Sequence, residues 1–256
     1  MSKVTPSVGD SALHPAVTAH MAEVLDELTV ARNYRNWLWE RTRPHLGRRV
    51  LEVGAGLGTM TECIADREAV VALELVPEYV VRLRTKFGTP NIEVIAGDAQ
   101  DRAVFQSIRG RIDSAMSFNV LEHIGDDRAV LGNVFDSLPP GGRFVCFVPA
   151  FPSIYGPMDA RLGHVRRYRR KELVGRARDA GFAVRSAEYM NLMGYFAWFL
   201  NGRLLRAASP VGGSRALALY DQTGIRVARA MERLVRPPFG QSLIAVFEKP
   251  RTAPHP

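Results

Sequence analysis

Apolar residues recur at helical spacing over residues 16–30, where Val17, Met21, Val24, Leu25 and Leu28 share one face. Tyr34, Trp37, Leu38 and the later Leu46 carry an apolar face on toward Pro44, so the chain is predicted to begin with two helices. The period then shortens. Residues 49–53 read as a short apolar strand, interrupted by Gly54, Gly56 and Gly58, and residues 60–65 as a helix with Thr59 near its cap. The same unit repeats: strand 69–75, a helix opened by Pro77 and running to about Lys86, and strand 92–96. Helix 102–108 leads to strand 112–118, and helix 127–138 stops at Pro139-Pro140-Gly141-Gly142 before strand 143–148.

Strands alternating with helices predict an α/β domain built on a mostly parallel sheet covered on both faces. No repeat of solenoid period is present. After Val148 the rhythm changes: residues 150–168 read as a long loop, 171–180 as a helix stopped by Gly181, and 182–189 as a sixth strand. Residues 191–238 form a predicted helical insertion, and 242–247 a last strand before a Pro-rich tail. The expected division is a helical cover at 1–47, a core at 48–190, a helical cap at 191–238, and the last strand with the tail at 239–256. Loops and insertions of this length usually build a binding site or lid. The most apolar stretch, residues 192–205, contains Asn201 and Arg203 and falls short of the ~18–20 residues a membrane span needs. It is expected to be a cap or core helix, with contact at a membrane surface as the alternative.

Composition narrows the class. In 256 residues, 46% hydrophobic and 23% charged side chains are those of a globular chain and exclude disorder as the main state. Two cysteines, Cys63 and Cys146, lie in apolar stretches and exclude both a disulfide framework and a Cys-rich zinc site. Residues 1–20 hold Pro6, Gly9, Asp10 and Pro15 with no continuous apolar core, so a secretory leader is not expected and the cytoplasm is. A net charge of +8 is compatible with nucleic acid, anionic lipid or a phosphorylated small molecule. Its densest run, Arg161, Arg166, Arg167, Arg169 and Arg170 around His164, reads either as a solvated helix start or as an anion site.

The chemistry concentrates in Leu51-Glu52-Val53-Gly54-Ala55-Gly56-Leu57-Gly58-Thr59. Three alternating glycines between a strand and a helix let the chain turn sharply and bring backbone N–H groups close to a ligand. The spacing is G-x-G-x-G, not the G-x-G-x-x-G of dinucleotide folds. Glu74 ends the second strand, where a carboxylate can accept hydrogen bonds from both ribose hydroxyls of an adenosine.

Together these residues resemble the class I S-adenosylmethionine-dependent methyltransferases of small-molecule type, strongly over residues 48–149 and weakly in the last strands. The resemblance implies a doubly wound, Rossmann-like seven-strand sheet with S-adenosylmethionine as cofactor. Glu52 would lie near the methionine end with Gly54, Gly56 and Gly58 against it, and Glu74 would hold the ribose. In Gly97-Asp98-Ala99, Asp98 would receive the adenine amino group beside Ala99. In Phe118-Asn119-Val120-Leu121-Glu122-His123-Ile124, Asn119 would line the cofactor. Leu138-Pro139-Pro140-Gly141-Gly142 matches the turn before the family's fifth strand. Each residue also has a plainer reading, such as Asp98 as the cap of the next helix or His123 as a structural side chain.

Methyl transfer from a sulfonium is a direct displacement that chiefly needs alignment, with a base only where a proton must leave. No metal-ligand spacing is present and no metal is expected. Substrate contacts are expected from Tyr34, Trp37, Tyr155, Asp159, Arg161, Arg166, Arg167 and Tyr195, and catalytic contacts from His164, Tyr168 and Glu122. Arginine forks suit phosphate or carboxylate, so a small, anionic and partly apolar metabolite is expected, prenyl or lipid-linked phosphates before other specialised metabolites. An rRNA or tRNA substrate is the first alternative, although the rRNA adenine dimethylases carry Asn-Leu-Pro-Tyr where this chain has Asn119-Val120-Leu121-Glu122. A nonenzymatic subunit retaining a nucleotide fold is the second.

Overall fold

The computed structural model describes residues 31–200, 202 and 213–251. The helix expected over 16–30 and the end of the Pro-rich tail lie outside the described residues.

Helix α1 (Arg32–Thr42) precedes strand β1 (Arg49–Val53), which is followed by α2 (Thr61–Ile64), β2 (Ala69–Glu74), α3 (Pro77–Lys86) and β3 (Ile92–Ala96). The chain continues through α4 (Arg102–Ile108), β4 (Ser114–Phe118), α5 (Asp127–Ser137) and β5 (Arg143–Pro149). The second part holds α6 (Pro157–Arg161), α7 (Arg170–Asp179), β6 (Ala183–Met190), α8 (Leu192–Phe199), α9 (Gly213–Gln222), α10 (Gly224–Leu234) and β7 (Ser242–Glu248). The seven strands form one sheet in the order β3-β2-β1-β4-β5-β7-β6, with β7 antiparallel to both neighbours and the others parallel.

Alternation along each strand divides the core in two. Leu51, Val53, Val71, Leu73, Phe144, Cys146 and Val148 face one side and pack with Phe105, Ile108, Val130, Val134 and Leu173. Val50, Val70, Ala72, Met116, Val145, Phe147 and Ile244 face the other, against Trp37, Leu38, Leu83 and Ile225. Burial on both faces explains why the strands read as nearly unbroken apolar runs.

The region expected to be a loop at 150–168 contains a 3-10 turn, Pro152–Ile154, and the short helix α6. Proline at the first turn presets the helical φ, and the Asp159 carboxylate accepts the Gly156 N–H at 3.0 Å, so one turn of helix is stable there. The leading helix and the cap also bind one another. Ala31, at the cap position of α1, has no side-chain acceptor, and Asp221 at the end of α9 takes the backbone N–H groups of Asn33 and Tyr34 at 3.0 and 2.9 Å.

β1 has β2 on one side and β4 on the other, so the chain reverses its winding between β1 and β4. Open α/β sheets form their crevice at the carboxyl ends of such a pair. The glycine loop and Asn119 both stand there.

Candidate active site at the carboxyl edge of the sheet

Gly54, Gly56 and Gly58 have φ of +74°, +56° and +81°, a region costly for residues with a Cβ. A Cβ on Gly54 would come 2.3 Å from Val120 Cγ2, and one on Gly58 2.4 Å from the Phe87 ring. Gly54 therefore lets the loop lie against the segment after β4. Gly58 lets the loop pack on α3 and Phe87. Gly54 and Ala55 donate their N–H groups to Leu73 O at 2.8 and 3.1 Å, which fastens the loop to β2.

Glu74 is 6% exposed. Its Oε2 accepts the Gly56 N–H at 2.7 Å, and its Oε1 accepts Leu75 N–H and Val76 N–H at 2.9 and 2.8 Å. Burial pushes its carboxyl above the ordinary range against the opposing pull of these donors. Glu52 is buried beneath the loop, where Thr61 donates its hydroxyl to Oε2 at 2.6 Å, and burial raises its carboxyl to about 8. Its visible task is to fasten α2 to β1.

After β3, Asp98 Oδ1 accepts the Gln100 N–H at 2.8 Å in a tight turn. The cap of α4 is Asp101, which accepts the Ala103 N–H, so Asp98 is not the helix cap. Ala99 is buried, its carbonyl receiving the Asn133 amide at 3.1 Å. After β4, Asn119 is exposed with φ +53°, and its N–H is held by Phe147 O at 2.9 Å. Carboxylates at the ends of β2 and β3 and an amide at the end of β4 thus surround the glycine loop. This donor and acceptor set fits the ribose, adenine and methionine parts of S-adenosylmethionine.

The Arg-rich loop is organised differently from expectation. Asp159 is completely buried and is bonded by four groups: His164 Nδ1 at 2.8 Å, Arg167 Nε at 2.7 Å, Gly156 N at 3.0 Å and Trp198 Nε1 at 3.1 Å. The buried Arg167 also donates to Ala150 O at 3.0 Å and stacks over Trp198. Arg166 donates to Gly125 O at 2.8 Å and pairs with Asp127 at 3.0 Å. The expectation that Asp159, Arg166 and Arg167 meet a substrate is corrected on this ground: their polar atoms bind the protein itself, and Asp159 and Arg167 are buried. Tyr168 is corrected likewise. It is 1% exposed and donates its hydroxyl to Asp127 Oδ2 at 2.6 Å, with Leu121 O beside it at 3.0 Å, and burial moves its phenol far above the ordinary range. Arg161 is exposed on α6.

Of the expected aromatics, Trp37 is a core residue and Tyr34 packs edge-on against it and Phe147. Burial raises the Tyr34 phenol to about 12. Tyr155 donates its hydroxyl to His164 O at 2.7 Å. Tyr195 lies against Phe151 and Phe239, beside the exposed Phe196. Asp127 and Asp221, both buried organisers, carried no recognisable signal in the sequence.

His164 and Glu122 do meet: His164 Nε2 stands 3.9 Å from Glu122 Oε1, and the His123 ring lies edge-on to His164 at 4.8 Å. Spacing along the chain hid this cluster, because His164 lies far along the sequence from Glu122 and His123. Burial raises Glu122 to about 7 and lowers His123 to about 4.

Against known proteins, a family profile described as a methyltransferase domain matches residues 20–187. A Mycolicibacterium smegmatis protein named as a probable S-adenosylmethionine-dependent methyltransferase is 28% identical over 141 residues, covering 54% of this chain and 53% of that one. A Methanosarcina mazei protein named as a probable ribosomal RNA small subunit methyltransferase A is 40% identical over 82 residues, 29% of this chain and 30% of that one. The ubiquinone biosynthesis O-methyltransferase of Xanthomonas axonopodis is 33% identical over 100 residues, 38% of this chain and 41% of that one. The chain spans about half the length, or less, of these curated relatives. Among solved structures, the complex between the Haloferax volcanii Trm112 methyltransferase activator and its methyltransferase partner gives a TM-score of 0.62 at 18% identity, over 93% of this chain and 96% of that one. Among the described residues no helix is long and apolar enough to cross a membrane.

Proposed function

Because this chain belongs to the class I S-adenosylmethionine-dependent methyltransferase family, we propose that it transfers a methyl group from S-adenosylmethionine to a small, partly apolar metabolite. The observation that carries this reading is the placement of Glu74, Asp98 and Asn119 at the ends of β2, β3 and β4 around a loop of three left-handed glycines. Bound there, the cofactor supplies an electrophilic methyl group on a sulfonium. Glu74 would accept a ribose hydroxyl with the carboxylate lone pair that its three backbone donors leave open, and Asp98 would accept from the adenine amine. The bond from Gly56 N–H to Glu74 couples the shape of the loop to the residue that binds ribose. Transfer itself requires alignment and exclusion of water, and a well-oriented pair gains up to ~7–11 kcal/mol over a bimolecular encounter in the best model systems.

The substrate side is read from topology. β5 and β6 run parallel, so the segment after β5 and helix α8 after β6 leave the sheet at the same edge as the glycine loop. Met193, Phe196, Phe199 and Leu200 are exposed on and beside α8, and Phe196 meets Tyr195, which in turn lies against Phe151. Such a group of exposed apolar side chains suits a partly apolar ligand. Prenyl and lipid-linked phosphates stay in the test set for their tails. The internal pairing of Arg166 and Arg167 removes the main argument for the anion.

An RNA substrate is the second reading, favoured by the likeness to the archaeal ribosomal RNA enzyme. The test combines calorimetry with S-adenosylmethionine and an assay of S-adenosylhomocysteine release over phenols, quinols, prenyl phosphates and rRNA fragments. Cofactor binding with turnover of a small molecule is the expected result. Turnover of RNA alone, with affinity falling steeply in salt, selects the second reading. Folded protein that binds no S-adenosylmethionine overturns both.

A further inference from the structure

Glu122 is completely buried, and neither oxygen of its carboxylate has a hydrogen-bond partner. His123 Nδ1 is also buried without a partner. The Nδ1 of His164 lies 2.8 Å from Asp159 Oδ1, so Nδ1 carries the proton and Nε2 presents a lone pair, 3.9 Å from Glu122 Oε1. One atom from each of Glu122, His123 and His164 lies within 4.8 Å of the others. With Glu122 ionised and both imidazoles neutral, the cluster is a set of buried acceptors facing one another, an arrangement that is unfavourable unless a positive charge, a proton or a metal ion, sits among them.

We propose that Glu122, His123 and His164 form a binding site for one first-row divalent cation. A proton between two of them would satisfy one pair and leave the third acceptor without a partner, and at 3.9 Å Glu122 and His164 are beyond hydrogen-bond reach. Two imidazoles with one carboxylate select a transition ion such as zinc, cobalt or manganese over magnesium, which takes oxygen ligands. Ligands at ~2.0–2.2 Å around a tetrahedral ion stand roughly 3.4 Å apart, so small side-chain rotations close the site. The His164 imidazole already has the outer hydrogen bond that fixes which nitrogen faces the ion, because Asp159 holds its Nδ1. Three protein ligands leave a fourth position for water or a substrate oxygen. The ion would join the turn after β4 to the loop after α6, close in sequence to Asn119. This inference stands apart from the proposed methyl transfer.

The experiment uses the full chain, stripped with EDTA and dialysed, titrated with zinc by calorimetry and with cobalt by visible absorption. One equivalent is expected to bind, with a cobalt spectrum carrying ligand-field bands and a melting temperature that rises with zinc concentration. Magnesium at equal concentration gives neither response. Glu122→Gln and His123→Asn each weaken zinc at least ten-fold, and His45→Asn leaves binding unchanged. If a variant fails to fold, ring 15N resonances of His123 and His164 in the unmutated protein, shifted by one equivalent of zinc, give the same reading. Folded protein that binds no zinc, zinc that leaves those resonances in place, or binding that survives in folded Glu122→Gln and His123→Asn overturns the proposal.

Discussion

Replacing Asp159 by alanine is expected to destabilise the protein severely and leave cofactor affinity nearly unchanged. The carboxylate is completely buried and is bonded by His164, Arg167, Gly156 and Trp198 at 2.7–3.1 Å. Burial alone would raise its carboxyl, but the His164 bond and the Arg167 charge outweigh that and hold it below the ordinary range. Removing it leaves the Arg167 guanidinium, whose side chain is 1% exposed, charged in the interior. Breaking one side of a buried pair costs about 3–5 kcal/mol. At ~2–4 °C per kcal/mol for a chain of this size, the melting temperature should fall by roughly 6–20 °C. Urea unfolding and thermal melts measure the loss, and calorimetry with S-adenosylmethionine checks the cleft. Asp159→Ala combined with Arg167→Met removes both charges and should recover part of the stability, a coupling that a double-mutant cycle reads directly. A wild-type melting temperature in Asp159→Ala, with turnover lost, would refute this account and return Asp159 to substrate recognition.

Glu74→Ala should weaken S-adenosylmethionine by about 1.5–3 kcal/mol, the range for hydrogen bonds to a charged group, and calorimetry on the folded variant checks it. Gly54→Val should abolish cofactor binding at modest cost to the remote core, because its Cβ would meet Val120 at 2.3 Å and φ is +74°. Glu52 titrates near 8 when folded against an ordinary 4.5, so the folded state holds an extra proton between these values and stability falls as pH rises across that window. Glu52→Gln should flatten this fall by an amount on the order of a few kcal/mol between pH 5 and 9, read from urea midpoints. Tyr168→Phe should cost about 1.5–3 kcal/mol through its lost bond to the Asp127 carboxylate while leaving the pH profile of turnover unchanged, an outcome no catalytic base would give.

Much of this protein is written in local pattern. The apolar strands, the helices between them and the left-handed glycines of the loop follow from side-chain period and backbone sterics, properties of a few adjacent residues. For that reason the order of elements from β1 to β5 and the positions of Glu74, Asp98 and Asn119 at strand ends were legible without coordinates. The partners of charged groups were not. His164, Arg166 and Arg167 looked alike as members of one basic run, yet Arg167 is closed over Asp159 and Trp198, Arg166 reaches Gly125 and Asp127, and His164 turns toward Glu122. Asp221 supplies the cap that Ala31 lacks from 188 residues away in Asn33's case. A charged side chain settles wherever folding puts a counter-group and removes water, and those neighbours come from distant segments. The sequence alone therefore determined the strands and the edge where the glycine loop stands, while the tertiary structure decided which polar residues are left to meet a ligand.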